Sequence, residues 1–322
     1  MFIKDVVHKL IEKKAQKSAM EKSENSEFFD EMLCLIRNGE AVAAVFSLDA
    51  LFNGTNDAGT IDALLSHPLH DRLKRDLYIF RMHPRDGRSE SPDWLDLAYG
   101  HVADCGGGRI SKQIFNATAA LPMAALLRRR RTLMQGILSH AWAEGARICA
   151  LDSGRFREGD NLVGHDLSLI TLVEREEIFA HDLMAKLGPA VVVECADPVQ
   201  HLANTAEFGE KYDLIYSMGL AGIRTPAEAS ELLSLCRACL NENGVVLFAN
   251  YEPSQSTRTW MHIADPGQEQ TRSAAILSFD FAQEALACGF KIQSTSIGEG
   301  ALVFYELSMA ERNSMLHTRI KH

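Results

Sequence analysis

Short apolar runs alternate with amphipathic segments through the C-terminal half of the chain, and each run ends in polar residues. The runs are Ala146–Leu151, Leu169–Val173, Val191–Val193, Tyr212–Tyr216 and Val245–Ala249. Buried parallel strands have this character because helices cover both of their faces. The pattern therefore predicts a parallel sheet whose strand ends line one edge, where such sheets bind ligands.

The segments around these runs complete the predicted sheet. Helical patterns cover Glu176–Leu187, Pro226–Leu240 and Phe279–Cys288. We expect Asn241–Gly244 to stop the second helix in a turn. Two further apolar runs, Lys291–Ile297 and Ala301–Leu307, flank Gly-Glu-Gly, which predicts a hairpin. The expected fold class is α/β, a Rossmann-like parallel sheet that ends in an antiparallel hairpin.

The N-terminal part has helical spacing instead of strand-like runs. Residues 1–40 and 39–73 both show it, with a turn-rich break at Phe52–Asp57, and Phe115–Trp142 is a further amphipathic helix candidate. We therefore expect an N-terminal helical cap and substrate domain over residues 1–140. A Rossmann-like cofactor-binding domain over 141–308 and a C-terminal tail over 309–322 follow it.

The composition of this 322-residue chain limits the classes of partner and the cellular location that we expect. The formal net charge of −10 argues against nucleic acid as the main partner, since nucleic-acid binders need clustered positive potential. Seven scattered cysteines indicate reduced thiols rather than a disulfide framework. The N-terminus is too polar for a signal peptide, and no apolar run has the length of a membrane span. We expect a cytoplasmic protein with a small-molecule substrate, and a homodimer remains open.

The first two strands carry the main candidate for ligand binding. The run before Asp152 stops abruptly, and Gly154 allows a tight reversal of the backbone close to a ligand. Glu174 follows twenty positions later, at the end of the second strand. An acid at that spacing accepts hydrogen bonds from a ribose, which favours an adenosine-type ligand. The alternative is an ordinary strand, turn and strand of an α/β core.

Two other residue groups have metal or redox spacings. His67 and His70 are one helical turn apart, but Pro68 lies between them and no Cys or acid completes a zinc pattern. Surface or capping histidines are the favoured interpretation, and no metal is predicted. Cys236 and Cys239 form a CxxC near the end of a predicted helix without a second pair, which favours packing.

Four consecutive arginines, Arg128 to Arg131, lie in the Phe115–Trp142 helix. Consecutive helical residues point in different directions, so the four cannot form one patch. The favoured interpretation is a solvated face with one or two arginines paired to acids. The alternative is that one arginine reaches a substrate carboxylate.

Five alternating strands followed by a hairpin, with an acid at the end of the second strand, resemble the class I S-adenosylmethionine-dependent methyltransferases. The narrower resemblance is to a bacterial group that includes the methyltransferases assigned to making the 3-hydroxypalmitic acid methyl ester quorum signal, over about residues 60 to 307. The matching pieces are His67-Pro68-Leu69-His70, Pro84-Arg85, Ile114-Phe115 to Arg131, Ala146-Arg147-Ile148, Gly154, Arg157-Glu158, Tyr212 to Leu220 and Asn243 to Pro253.

The resemblance implies S-adenosylmethionine as cofactor and assigns residues to it. Asp152 and Gly154 match the motif under the methionine part, and Glu174 matches the ribose acid. The remaining cofactor-binding positions are Cys195, Ala196 and Asp197 on the adenine side, and Ser217, Met218 and Gly219 beside the transferable methyl. Arg157 and Glu158 match the group's own form of the first motif.

The substrate side departs from the group's pattern. Asn250-Tyr251-Glu252 replaces an Asn-Phe pair, and Ala221–Arg224 replaces a Tyr-Asp-Tyr-Leu segment. The expected activity is methylation of a carboxylate or hydroxyl on a fatty-acid-like or secondary metabolite, and a carboxylate acceptor needs no general base. The candidates to hold the acceptor are Arg85, Arg128, Tyr216 and Tyr251. The alternatives are a catalytically degenerate binding or sensor protein and transfer of the aminocarboxypropyl group.

Overall fold

The computed structural model describes residues 25–54, 58–75, 95–96, 99–100, 108–219, 225–251, 259–260, 263, 280–297 and 302–309. The chain divides into two compact units. The first unit comprises Met1–His83, Gly100–Pro122 and Ser254–Gln268. The second comprises Pro84–Tyr99, Met123–Pro253 and Glu269–His322. Both units are therefore discontinuous in sequence. The capping role expected for residues 1–140 stays a prediction.

The first unit is helical in its described residues. Its helices are α1 (residues 25–37), α2 (Ala41–Gly54), α3 (Ala58–Leu65), α4 (Pro68–Arg75) and α5 (Arg109–Ala119). They share a core of fully buried side chains, which includes Phe29 and Phe52. Trp260 joins this core although it is distant in sequence, and its ring lies edge-on to Phe52 at a centroid distance of 4.9 Å. The apolar spacing along residues 25–75 arises from packing against this core.

The second unit contains a seven-stranded sheet in the order β3-β2-β1-β4-β5-β7-β6. The strands are β1 (Ile148–Leu151), β2 (Ile170–Glu174), β3 (Val192–Cys195), β4 (Tyr212–Ser217), β5 (Leu240–Tyr251), β6 (Lys291–Ile297) and β7 (Leu302–Ser308). Strands β1 to β5 are parallel, whereas β7 runs antiparallel to both β5 and β6. This topology confirms the predicted Rossmann-like sheet with its antiparallel ending.

Helices cover both faces of the sheet. They are α6 (Pro122–Ala143), α7 (Glu177–Leu187), α8 (Pro198–Glu207), α9 (Pro226–Ala238) and α10 (Phe281–Ala287). Ile148 and Ala150 face a core shared with α6 and α7, while Cys149 and Leu151 face a core shared with α8, α9 and α10. Alternate residues of one strand thus enter different cores, which explains why the whole strand is apolar.

The starts of three covering helices follow from their sequences. Asp197 caps α8, Thr225 caps α9 and Asp280 caps α10, each by accepting a hydrogen bond from a backbone N–H of the first turn. Pro198 and Pro226 stand at the first helical position, where a missing N–H costs nothing. These local signals set where the chain turns from strand to helix.

Two predicted boundaries were wrong. The expected helix Phe115–Trp142 is two helices, because Pro122 begins α6 and cannot supply an N–H to continue α5. The expected turn Asn241–Gly244 lies inside β5, where the register shifts so that Tyr212 pairs with Leu240 and Leu214 with Val245. A Cβ on Gly244 would lie 2.7 Å from the Leu240 side chain, so the irregular strand requires glycine there.

Among the helices in the described ranges, none combines the length and apolar character needed to cross a bilayer.

We expect Trp260→Phe to lower the free energy of unfolding by about 1–3 kcal/mol. The indole Nε1 donates to Asp49 Oδ1 at 2.9 Å, and both residues are buried, so phenylalanine leaves a carboxylate short of a donor. Urea denaturation followed by far-UV circular dichroism measures the change. Trp142→Phe is the matched control, since that indole donates to the Asp166 carbonyl at an exposed position. Equal losses in the two variants would contradict the assignment.

Candidate functional site

The candidate site lies at the carboxyl ends of the parallel strands, within the second unit. The chain passes from β1 outward to β2 and β3, and then returns to the other side of β1 as β4. The two strands that flank this reversal, β1 and β4, therefore send their following loops in opposite directions. Open α/β sheets bind ligands in the crevice that results.

The loop after β1 has an unusual backbone. Asp152, Gly154 and Phe156 have φ values of 51°, 53° and 49°, all in the left-handed region. Each non-glycine residue there costs about 1–2 kcal/mol, so tertiary contacts must hold the loop in place. The buried Phe156 ring supplies one, because a Cβ on Gly159 would lie 2.0 Å from it. Gly159 thus has a packing role that the sequence pattern did not reveal.

Glu174 ends β2 and is fully buried. Its Oε2 accepts from the Gly154 N–H at 2.7 Å, and its Oε1 accepts from the Glu176 N–H at 2.9 Å. The carboxylate therefore ties the loop after β1 to the end of β2. It has the position predicted for the ribose acid, and its role toward a ribose stays a prediction.

Arg175 connects the ends of three neighbouring strands. Its Nε and Nη2 donate to the two carboxylate oxygens of Asp152 at 2.8 and 2.9 Å. Its Nη2 also lies 3.9 Å from Asp197 Oδ2, after β3. Burial lowers the pKa of the guanidinium, but the carboxylates of Asp152, Asp197 and Glu174 outweigh it, so the pKa is raised. Arg175 is therefore a permanently charged cation among the predicted cofactor acids.

The predicted adenine-side residues follow β3. Cys195 is exposed, and the Ala196 N–H donates to the Glu174 carbonyl at 3.2 Å. Asp197 caps α8 by accepting from the Val199 N–H at 2.9 Å. These residues adjoin the end of β2 at Glu174 and Arg175, and their role toward an adenine stays a prediction.

The end of β4 is held by a buried arginine. Arg130, 1% exposed, donates from Nη1 to the Met218 carbonyl at 2.6 Å and from Nη2 to the Tyr99 hydroxyl at 3.3 Å. The Ser217 hydroxyl donates to the Gly219 carbonyl in a short turn. The three residues predicted beside the transferable methyl therefore have a constrained backbone.

Tyr216 lies inside the core instead of facing the crevice. Its hydroxyl donates to Glu158 Oε1 at 2.9 Å, and both side chains are buried. Burial raises the pKa of Glu158, while hydrogen bonds and the nearby Arg130 and Lys186 only partly oppose it. Burial and the adjacent Glu158 likewise raise the pKa of Tyr216 well above its usual value. Its hydroxyl is therefore an uncharged donor to Glu158.

An ion-pair network fastens the loop after β1 to neighbouring segments. Asp96, 4% exposed, accepts from Arg155 Nη1 at 2.5 Å and from Arg157 Nε and Nη2 at 2.6 and 2.8 Å. Burial raises the pKa of Asp96, but the hydrogen bonds from Arg157 and Arg155 outweigh it, so the pKa is lowered. Asp160 accepts from Arg131 at 2.9 Å and from Lys186 at 2.6 Å.

The structure brings some of the predicted substrate-side residues to this edge and not others. Arg128 is half-buried on α6, Arg130 donates to the Met218 carbonyl after β4, and Arg131 donates to the Arg157 carbonyl in the turn that follows β1. Their different directions agree with the expectation for consecutive helical positions, and Arg131 has the acid partner expected for one of them. Arg85, the Tyr251 side chain and Ala221–Arg224 lie outside the described residues.

Sequence reasoning missed the pairing of Arg175 with Asp152 and the pairing of Asp96 with Arg155 and Arg157. Arg175 had a usable signal, because it directly follows the acid that ends a buried strand. Asp96 had none, since its partners lie about sixty residues away along the chain. Contacts at that separation depend on the fold.

The histidine and CxxC candidates have structural partners. His67 Nδ1 accepts from the Leu69 N–H at 3.1 Å, and His70 Nε2 lies 3.0 Å from the Ile263 carbonyl. Cys236 and Cys239 are buried in the apolar core beside α9, and burial raises the pKa of both thiols. In the described part of the chain, no three His, Cys, Asp or Glu side chains are grouped to hold a metal.

No protein-family model matches the chain, and no curated protein matches it. Solved structures do match. A protein described as a possible exported protein of Bordetella parapertussis is 12% identical with a TM-score of 0.48, over 88% of this chain and 96% of that one. The magnesium protoporphyrin IX methyltransferase of Synechocystis, with bound S-adenosylhomocysteine, is 14% identical with a TM-score of 0.42, over 59% and 89%.

A TehB-like S-adenosylmethionine-dependent methyltransferase from Corynebacterium glutamicum is 14% identical with a TM-score of 0.37, over 54% of this chain and 86% of that one. Methyltransferases thus occur repeatedly among the structural neighbours. At these identities the likeness concerns the fold alone. The fold itself is established by the strand order and the strand directions described above.

We expect Glu158→Gln to change the pH dependence of stability. Because burial raises the pKa of Glu158, the native protein binds more protons than the unfolded chain above the ordinary value of 4.5. The contribution of Glu158 to stability is therefore present at low pH and is lost as the pH rises through the raised pKa. Glutamine cannot exchange this proton, so the variant should gain stability relative to the wild type across that window.

Urea denaturation between pH 4 and 8 measures this difference. Tyr216→Phe is the companion variant: it removes a hydrogen bond that lowers the pKa of Glu158, so the window should extend to higher pH. A stability difference between wild type and Glu158→Gln that stays constant with pH would refute the assignment.

We expect Asp96→Asn to lower the free energy of unfolding by about 2–3 kcal/mol near neutral pH, since it removes a buried acceptor from two guanidinium groups. The loss should shrink as the pH falls through the lowered pKa of Asp96, where the wild type also loses its charge. Asp182→Asn is the control, because Asp182 is exposed and 3.7 Å from Arg155. Chemical denaturation of both variants distinguishes a fastening role from a surface ion pair.

Proposed function

We propose that the chain is an S-adenosylmethionine-dependent methyltransferase that acts on a small molecule. The observation that carries the proposal is the set of carboxylates at the ends of consecutive parallel strands: Asp152 after β1, Glu174 ending β2 and Asp197 after β3. They follow three adjacent strands, and Asp152 adjoins the reversal in strand order between β1 and β4, where sheets of this class bind ligands.

The chemistry of these residues fits the cofactor. Carboxylates accept hydrogen bonds and attract positive charge, and an adenosyl sulfonium amino acid offers an ammonium group and two ribose hydroxyls as donors. The loop after β1 adds a glycine in the left-handed region, which lets a ligand approach the backbone closely. Phosphorylated ligands are less suited, because like charges at this edge repel them.

The protein's own part in methyl transfer is to bind, orient and exclude water. When bound, S-adenosylmethionine supplies a methyl group on a positively charged sulfur. Glu174 holds the loop after β1 against β2, and Arg130 fixes the Met218 carbonyl at the end of β4. These contacts keep the edges of the crevice rigid, which is what precise alignment of an acceptor requires.

For the acceptor we propose a carboxylate or hydroxyl of a fatty-acid-like or secondary metabolite. The resemblance to the 3-hydroxypalmitic acid methyl ester group supports it, and a carboxylate needs no general base. Arg85, Arg128 and Tyr251 are the proposed groups to hold it. Tyr216 is a weaker candidate, because its hydroxyl is engaged by Glu158 inside the core.

A second candidate function is binding without turnover. The specific observation in its favour is that Tyr216, one of the groups expected to hold an acceptor, donates its hydroxyl to Glu158 inside the core. A sensor would use the same edge to bind the molecule and would not transfer its methyl group.

Calorimetric titration with S-adenosylmethionine and S-adenosylhomocysteine tests binding. At about a hundred times its dissociation constant, a ligand of the native state should add roughly 2.7 kcal/mol to stability, which a thermal-shift assay detects. Incubation with methyl-labelled cofactor and fatty, hydroxy-fatty and amino acids tests transfer. Label on a carboxylate or hydroxyl supports the proposal, whereas binding without transfer supports the sensor.

Asp152→Asn should weaken binding of S-adenosylmethionine and S-adenosylhomocysteine by about tenfold, because it removes the charge that attracts their ammonium group. 5′-Methylthioadenosine is the control ligand: it retains the ribose and lacks the ammonium, so the substitution should leave its affinity unchanged. If no adenosyl compound binds the wild type at millimolar concentration, the methyltransferase proposal fails.

A further inference from the structure

Arg175 and Asp152 form a forked ion pair at the carboxyl ends of β1 and β2. Both nitrogen–oxygen distances are below 3 Å, and the Asp152 side chain is only 10% exposed. The two residues come from different strand ends and meet only because β1 and β2 are neighbours. A paired guanidinium thus stands at the acid that the proposed function assigns to the ammonium end of the cofactor.

We propose that Arg175 is an internal competitor for the cofactor site: its guanidinium holds Asp152 in the free protein and moves to Asp197 when a ligand ammonium takes its place. The inference rests on the proposed function and adds a regulatory residue to it. Ligand entry then exchanges one cation for another at Asp152, so that affinity depends on how readily Arg175 leaves.

The geometry provides both positions for the arginine. Arg175 Nη2 already lies 3.9 Å from Asp197 Oδ2, so a rotation of the side chain brings the guanidinium into hydrogen-bonding range of the second carboxylate. The Asp197 side chain is 52% exposed and has room to meet it, while its Oδ1 stays with the Val199 N–H. Arg175 itself is one-third exposed, which leaves one side of the side chain unconfined.

Glu174, the acid predicted to bind the ribose, does not allow such an exchange of donors. Glu174 is fully buried, and it accepts from the backbone N–H groups of Gly154 and Glu176, which cannot rotate away. Asp152 accepts instead from the Arg175 side chain, which can change its rotamer. This is why the competition is assigned to Asp152 and to Arg175.

The exchange has a consequence for salt dependence. In the wild type one ion pair at Asp152 replaces another, and Arg175 is paired with Asp197 before and after binding, so the salt sensitivity of binding largely cancels. Without Arg175 a new ion pair forms on binding, and added salt should weaken it. Affinity and its salt dependence are therefore two independent readouts of the same competition.

The test is calorimetric titration of wild type and Arg175→Gln with S-adenosylhomocysteine at low and high salt. We expect the variant to bind about fivefold more tightly at low salt and to lose that advantage at high salt. 5′-Methylthioadenosine, which lacks the ammonium, should bind both proteins equally. Arg175→Lys, which keeps the charge without the fork, should fall between them.

Two further variants separate competition from a general charge effect. Arg147→Gln is the matched control, because Arg147 pairs with Glu210 near the opposite end of β1 and should leave affinity unchanged. Asp197→Asn keeps the cap of α8 and removes the charge that receives Arg175. It should weaken binding more in the wild type than in the Arg175→Gln background, where only the contact of Asp197 with the ligand remains to be lost.

The outcomes distinguish this inference from the proposed function. If the wild type binds and Arg175→Gln binds equally or more weakly, Arg175 is no competitor and the methyltransferase proposal stands. If Asp197→Asn weakens binding equally in the two backgrounds, Asp197 does not receive Arg175, which also overturns the inference. If neither wild type nor Arg175→Gln binds any adenosyl compound, both proposals fail.

Discussion

The buried carboxylate of Glu174 is the contact on which the geometry of the strand ends depends. Because the side chain is fully buried, its carboxylate oxygens need donors from the protein, and the Gly154 and Glu176 N–H groups supply them. This requirement draws the loop after β1 onto the end of β2 and accounts for its left-handed backbone. The pairing of Asp152 after β1 with Arg175 after β2 follows from it.

At this edge ion pairs hold the loops in place, whereas apolar packing holds the helices against the sheet in its two cores. Asp96, Asp160 and Asp152 each accept from at least one arginine, and burial makes an unpaired member of any pair costly. Such a network gives direction as well as attachment, since the forked guanidinium meets a carboxylate in few orientations. The loop after β1 is therefore held in one conformation. It contains only the short 3₁₀ turn Arg157–Leu162 between β1 and β2.

The order of strands and helices in the second unit could be predicted from the sequence, because it rests on local signals. Buried strands such as β1 and β4 are apolar throughout, and helices such as α9 begin at a capping residue followed by proline. The boundaries failed where a distant contact overrides the local signal. Gly244 reads as a turn, yet pairing with β4 keeps it in an irregular strand.

By itself the sequence determined the parallel sheet with its antiparallel ending and the acids that follow its strands, because periodicity and strand ends are properties of neighbouring residues. Only the tertiary structure decided that Arg130 rather than Arg128 reaches β4, that Tyr216 faces Glu158, and that Arg175 pairs with Asp152. It also decided that Trp260 completes the helical unit. Pairings between residues that are distant in sequence arise from how the strands and helices pack, and no short stretch of sequence encodes that packing.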